Sequence, residues 1–265
     1  MAQSGTITIT PVTSLTQGED KSANLVGNVH STLAGGAVDG PGLRFVLFMS
    51  GCQMRCLYCH NPDTWDRMGG TPRTVDDVME EIGKYADFLK KAGGVTVTGG
   101  EPLLQAEFVH EVMRRCKEEY GLHTALDTNG LRAFSLPDDW FDVVDLVLLD
   151  IKHIDPAKHA RLTSTTNRPV LEFAQRLARM SKPTWVRYVL VPGYTDDVND
   201  VEKLAEFVSE LKNVERVEVL PFHQMGAYKW KQLRLRYELA DKQSPTDEVL
   251  GRVKKQFEKK GLTVV

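Results

Sequence analysis

The chain has 265 residues, 42% apolar and 26% charged, an ordinary balance for a globular protein of one large domain or two small ones. A formal charge of −3 offers no concentrated basic surface for a polyanion, which argues against nucleic acid as a partner. No apolar run approaches the roughly 18 residues that span a bilayer. Met1–Thr32 lacks the basic-then-apolar layout of a signal peptide, so a cytoplasmic protein away from membranes is expected.

Residues 1–24 are rich in Ser, Thr and Gly and read as a flexible extension; residues 25–265 read as a single domain. Six strands are predicted beyond it, at Arg44–Met49, Val95–Thr98, His123–Asp127, Leu146–Ile151, Trp185–Val191 and Val217–Pro221. Most are near-continuous apolar runs of the kind buried on both faces of a parallel sheet. Amphipathic helices alternate with them. One runs through Val75, Val78, Met79, Ile82 and Leu89, from a Thr74 N-cap to Gly93; others carry Phe108, Val109, Val112, Met113 and Cys116, and then Val201, Leu204, Ala205, Val208 and Leu211. Ser244 with Pro245 opens the last helix and Gly261 closes it. Six βα units suit an α/β partial barrel better than a closed eight-stranded one, which takes about 250 residues for the barrel alone. A doubly wound sheet is the alternative. Both put ligands at the carboxyl ends of the strands.

Those ends carry chemistry. After the first strand comes Gly51-Cys52-Gln53-Met54-Arg55-Cys56-Leu57-Tyr58-Cys59-His60, a C-x3-C-x2-C loop holding three of the four cysteines. Four thiolates saturate a [4Fe–4S] cluster; three leave one iron open to a substrate. Structural zinc with His60 as fourth ligand is the bland alternative, and it requires Cys59 and His60, adjacent in the chain, to turn onto one ion. Cys116, inside an apolar helical pattern, reads as a buried free thiol. After the second strand, Thr98-Gly99-Gly100-Glu101-Pro102 offers bare backbone to a ligand. The third ends in Asp127-Thr128-Asn129-Gly130, the fourth in Asp150-Ile151-Lys152, and the sixth in Pro221-Phe222-His223. Taken singly each is as well explained by a cap or turn; together they point to a site. Arg187, a charge in an apolar strand, faces either the lumen or an edge-strand ion pair.

These residues carry a resemblance to the radical S-adenosylmethionine (SAM) superfamily and, within it, to the activating enzymes of pyruvate formate-lyase. It runs from about Gly27 to the C-terminus, through Asp39-Gly40-Pro41-Gly42-Leu43-Arg44-Phe45, the cysteine loop with Asn61, Asp63-Thr64-Trp65-Asp66, Leu126–Gly130, Leu220–His223, Gly226 and Lys229-Trp230. The resemblance implies a partial (β/α)6 barrel and a [4Fe–4S] cluster on Cys52, Cys56 and Cys59. SAM would sit on the open iron and yield, after one-electron reduction by flavodoxin or ferredoxin, a 5′-deoxyadenosyl radical that takes hydrogen from a glycine of the lyase. It also implies SAM contacts from Tyr58, Cys59, His60, Gly100, Asp150, Ile151, Lys152 and His223, a monovalent-cation site at Asp127, Thr128 and Asp150, and a substrate-glycine loop at Asp39, Gly40 and Gly42. A monomer is expected. On this reading Gly100→Val weakens SAM binding before it harms cluster assembly. Pro102 stands where the nearest pattern has Ala, a departure that leaves the SAM assignment untouched. Activation of another glycyl-radical enzyme, or small-molecule radical chemistry, is the alternative function, and a non-catalytic metal module is a third. The lysines Lys254, Lys255, Lys259 and Lys260 read as a solvated helix face.

Overall fold

The computed structural model describes residues 25–265, and the extension expected over residues 1–24 lies outside them. Its strands are β1 (Val26–Gly36), β2 (Leu43–Met49), β3 (Thr71–Thr74), β4 (Gly93–Gly99), β5 (Thr124–Thr128), β6 (Leu146–Asp150), β7 (Thr184–Leu190) and β8 (Val214–Pro221). The helices are α1 (Val75–Gly83), α2 (Ala86–Ala92), α3 (Ala106–Tyr120), α4 (Pro156–Thr163), α5 (Arg168–Arg179), α6 (Val198–Glu210), α7 (Ala227–Gln232) and α8 (Asp247–Glu258).

All eight strands form one sheet in the order β3-β1-β2-β4-β5-β6-β7-β8. From β2 to β8 every neighbour is parallel and stands in chain order. A doubly wound sheet reverses its order at a switch point; this one never does, and the six parallel strands make the expected partial barrel. The sequence reading misses β1, which adds antiparallel beside β2, and β3, which adds antiparallel beside β1 at the edge of the sheet. Their residues, VGNVHSTLAGG and TPRT, alternate weakly and lack a continuous apolar run, and most of them stay exposed or half-buried.

Along the parallel strands, alternate residues divide the burial. Phe45, Leu47, Val95, Val97, Val147, Leu149, Val186 and Tyr188 belong to the main apolar core. The intervening positions face the concave side: Ala125, Leu146, Leu148 and Trp185 form a small apolar cluster of their own, and Thr98, Asp127, Asp150 and Arg187 line a cavity above it.

The helix ends refine the sequence reading. Thr74 caps α1 with a reciprocal box to Asp77. The single helix predicted through Leu89 breaks after Gly83, where helix propensity is low, and Tyr85 (φ −118°, ψ 0°) starts α2; hydrophobic spacing continues across the break and conceals it. Thr246, two residues beyond Ser244, is the cap of α8, accepting from the Val249 N–H. Cys116 is fully buried in α3, as expected.

Arg44, at the start of β2, is wholly buried. Its guanidinium donates to the carbonyls of Pro41 (3.2 Å), Gly93 (2.9 Å), Val95 (2.6 Å) and His123 (3.1 Å), and to Thr96 Oγ1 (2.6 Å). Thr96 in turn donates to the Asp39 carbonyl at 2.5 Å. One side chain therefore fastens the loop before β2 to the openings of β4 and β5. Arg44→Met is expected to cost about 3–5 kcal/mol, because several buried carbonyls lose their donor together. Urea unfolding of the iron-free protein measures it, and a loss below about 1 kcal/mol would mean that water replaces the guanidinium.

Candidate active site

The carboxyl ends of the parallel strands open onto a cavity of about 310 Å³. Cys52, Cys56 and Cys59 form one wall, with Tyr58 and His60 beside them. Gly100, Asp127, Thr128, Asp150 and Lys152 complete it, and Asp39 reaches in from the loop before β2. Four expected residues do not line it. Ile151 is buried in the apolar core. His223 packs its ring on His60, centroids 4.2 Å apart. Gly40 lies against the Arg44 side chain, and a Cβ on Gly42 (φ +73°) would fall 1.9 Å from the Ala92 carbonyl, so close packing alone requires glycine there.

The cysteine loop is held by its backbone. Gly51 N–H donates to Thr64 O (2.6 Å), while Arg55 and Leu57 N–H donate to Thr163 O (2.8 Å) and Leu162 O (2.9 Å) at the end of α4. Met54 anchors the loop in the core. Burial pushes the Cys52 thiol up to about 12 and raises those of Cys56 and Cys59 as well. As free thiols they stay protonated and are poor nucleophiles; a coordinating metal deprotonates them outright. The surrounding donors suit sulfur ligands. Asn129 Nδ2 donates to Cys52 Sγ at 3.8 Å, and the backbone N–H groups of Met54 and Asn61 favour thiolate at Cys52 and Cys59. Such N–H···S bonds stabilise and tune an iron–sulfur cluster. The zinc alternative needs His60 on one ion with Cys59, whereas the His60 ring packs on His223 and its Nε2 lies 3.3 Å from the His223 carbonyl.

Gly100 binds two loops together. Its N–H donates to Met49 O (2.8 Å), and a Cβ would lie 2.1 Å from Gly51 O. The next residue, Glu101, is completely buried. Its carboxylate accepts from Thr128 Oγ1 (2.7 Å) and the N–H groups of Leu103 (3.0 Å) and Asn129 (2.9 Å), and its own N–H donates to Gly51 O (2.6 Å). The sequence reading gave Glu101 no role, although a carboxylate between Gly-Gly and Pro at a strand end was the available signal.

Deeper in the cavity, Arg187 faces the lumen, which settles its orientation. It bonds Glu218 Oε2 (2.9 Å), Asp127 Oδ2 (3.1 Å) and the Val38 carbonyl. Thr98 Oγ1 also donates to Asp127 Oδ2 (2.7 Å). Asp150 pairs with Lys152 at 2.7 Å, and Lys152 Nζ stands 5.5 Å from the centre of the Tyr58 ring. The Tyr58 hydroxyl is buried without a hydrogen-bond partner among the described residues. A cavity offering an orphaned hydroxyl, a carboxylate and an ammonium beside three thiols fits a zwitterionic, ribose-bearing ligand such as SAM next to a cluster.

Two outcomes follow from Gly100 and Glu101. Because the Gly100 Cβ would meet the backbone of the cysteine loop, Gly100→Val is expected to lose iron content and SAM binding together, correcting the order of losses expected from sequence; iron analysis and equilibrium dialysis decide it. Burial pushes the Glu101 carboxyl up to about 7 from an ordinary 4.5, in spite of its three donors. The folded chain therefore keeps a proton that the unfolded chain releases, so this contribution to stability is full below about pH 4.5 and is lost as pH rises through about 7. The melting temperature of the iron-free protein should fall more steeply across that window than that of Glu101→Gln. Parallel curves would return Glu101 to an ordinary pKa.

Residues 46–208 match the Radical SAM superfamily. The chain is 49% identical to the pyruvate formate-lyase-activating enzyme of Staphylococcus aureus strain USA300, over 85% of this chain and 93% of that one. Among solved structures, a domain of the pyruvate-formate lyase-activating enzyme from Bacteroides vulgatus superposes with a TM-score of 0.54 at 28% identity, covering 66% of this chain and 98% of that one. Streptococcus suis SuiB bound to S-adenosylmethionine superposes at 0.62 with 17% identity, covering 86% of this chain and 50% of that one, a likeness of fold. With the three thiols at the mouth of a six-stranded partial barrel, these similarities place the chain in the radical SAM superfamily and, within it, in the family of the pyruvate formate-lyase-activating enzymes.

Proposed function

We propose that this chain activates pyruvate formate-lyase by installing a glycyl radical on it, with the lyase as its protein substrate. The observation that carries the reading is 49% identity over 85% of the chain to an enzyme named for that activation. As a radical SAM protein the chain works with a [4Fe–4S] cluster and SAM. Bound there, the two supply reductive cleavage of SAM to a radical able to take a hydrogen atom from glycine.

The chain's own residues bind, orient and shield. Cys52, Cys56 and Cys59 hold the cluster, and the N–H donors around them stabilise thiolate charge. Lys152, neutralised by Asp150, presents an ammonium to the SAM carboxylate, while Asp150 remains able to accept from a ribose hydroxyl. Tyr58 and His60 flank the adenine, with His223 supporting His60 from behind. Gly100 offers backbone to the methionyl amino group. Ile151 contributes through its carbonyl, since its N–H already donates to Arg187 O (3.1 Å). Asp127, Thr128 and Asp150 take a monovalent cation, Arg187 and Lys152 already standing on the two carboxylates. Asp39, with Gly40 and Gly42 shaping its loop, meets the substrate glycine, and Arg187 fixes that loop through the Val38 carbonyl.

Residues 25–265 act in this reading as one monomeric domain, in the cytoplasm, reduced by flavodoxin or ferredoxin. Among the described residues no helix is long and apolar enough to cross a membrane.

Anaerobic reconstitution, reduction and addition of SAM with pyruvate formate-lyase should give a glycyl-radical doublet in the electron paramagnetic resonance spectrum and stoichiometric 5′-deoxyadenosine. 5′-Deoxyadenosine without the doublet would point to another substrate. Cys52→Ala, Cys56→Ala or Cys59→Ala should each abolish cleavage and degrade the cluster. Cys116→Ala should leave both intact, its thiol meeting Met79 Sδ at 3.9 Å inside the apolar core; an active Cys56→Ala protein would sink the mechanism.

A further inference from the structure

The segment 226–232, which holds α7, lines no wall of the cavity, yet it is packed directly on the end of the cysteine loop. A Cβ on Gly226 would lie 2.7 Å from His60 Cα and 2.9 Å from His60 O, so α7 begins in backbone contact with that loop. Two successive α7 side chains then reach to either side of His60. Trp230 Nε1 donates to Cys59 O at 2.9 Å. Lys229 Nζ donates to Asn61 Oδ1 at 2.8 Å and pairs with Asp63 Oδ2 at 2.9 Å.

Both contacts are sheltered and braced. Trp230 is buried, with Trp65 edge-on to it at 5.1 Å and Tyr237 stacked on it at 5.0 Å. Asp63 also meets His30 Nε2 at 3.0 Å, which ties the Lys229 pair to β1. Asn61 is held from its other side, its carbonyl accepting from the Thr64 N–H (3.0 Å) and Oγ1 (2.7 Å). The turn Cys59-His60-Asn61 is therefore gripped at both ends. Its middle residue sits at the cavity wall, with its ring against His223 in the segment that leads into α7.

These contacts bear on function because the Cys59 carbonyl belongs to the peptide that joins a sulfur ligand to His60. A donor that fixes this carbonyl limits rotation of the peptide, and with it the directions of the thiol before it and the imidazole after it. An acceptor that loses its donor beside buried rings turns toward water instead.

We propose that Trp230 and Lys229 are positioning residues of the SAM site: they lock the Cys59-His60-Asn61 turn so that the Cys59 thiol and the His60 ring stay directed into the cavity. The proposal rests on the reading that His60 flanks the adenine. Neither residue touches SAM or the cluster; each acts through the turn.

The test compares wild type with Trp230→Phe, which keeps an aromatic ring between Trp65 and Tyr237 and removes the donor, and with Lys229→Met, which keeps the apolar stem and removes the ammonium. After anaerobic reconstitution with excess iron and sulfide, both variants should hold wild-type iron but bind SAM about 10-fold more weakly in equilibrium dialysis. The electron paramagnetic resonance spectrum of the reduced cluster with SAM should change as well. In the iron-free proteins, iodoacetamide labelling mapped by mass spectrometry should be faster at Cys59 and unchanged at Cys116, which is fully buried in α3. SAM affinities within about twofold of wild type would overturn the proposal. So would labelling of Cys116 that accelerates in step with Cys59, since that pattern reports a general loosening of the fold. A wild-type protein that assembles its cluster and binds no SAM would defeat the reading of the site itself, and the proposal with it.

Discussion

Three loops leave three different strands and must meet at one cavity, and a single buried carboxylate ties them. Glu101 receives Thr128 and Asn129 from the β5 loop, closes its own turn on Leu103, and through its N–H grips Gly51 at the head of the cysteine loop. Asn129, fixed in this way, aims its amide at Cys52. The arrangement is rigid because three donors converge on one carboxyl group in a dry environment, where leaving any of them unpaired would be expensive. Gly100 completes it by letting two backbones approach where any Cβ would intrude.

A second network, built on charge, organises the lumen. Arg187 joins Asp127 on β5, Glu218 on β8 and the carbonyl of Val38 before β2, so one guanidinium spans the concave face. Asp150 and Lys152 form a separate pair nearer the thiols. The cavity thus contains both signs of charge without being strongly of either, which suits a ligand carrying an ammonium, a carboxylate and a sulfonium at once. Arg44 does the corresponding work at the far end, where the strands begin, with carbonyls in place of carboxylates.

The cysteine loop consequently has two faces of different character. Toward the cavity it presents thiols among polar groups; outward it is covered by Arg55, which stacks on Trp65 and donates to Cys52 O, and by Trp230, which donates to Cys59 O. A loop pinned on both sides by backbone hydrogen bonds, to Thr64 and to Leu162 and Thr163, holds its three thiols in place at the mouth of the cavity.

Much of this was legible in the chain. Continuous apolar runs marked the six parallel strands because both of their faces are covered, and the C-x3-C-x2-C spacing marked the loop whose three thiols line the cavity, because residues close in sequence need little tertiary help to meet. Helix caps such as Thr74 were readable for the same reason: they act over three residues. What sequence left undecided was long in range. β1 and β3 lack a continuous apolar run and are defined by their pairing; the break between α1 and α2 does not interrupt the hydrophobic spacing; the orientation of Arg187 depends on Asp127, 60 residues away, and on Val38, 149 away. The roles of Glu101 and Gly42 likewise exist only once other loops are beside them. Local spacing and burial pattern are carried by neighbouring residues and can be read in order; convergence of charges and close approach of backbones are properties of the closed barrel, and only the tertiary structure decides them.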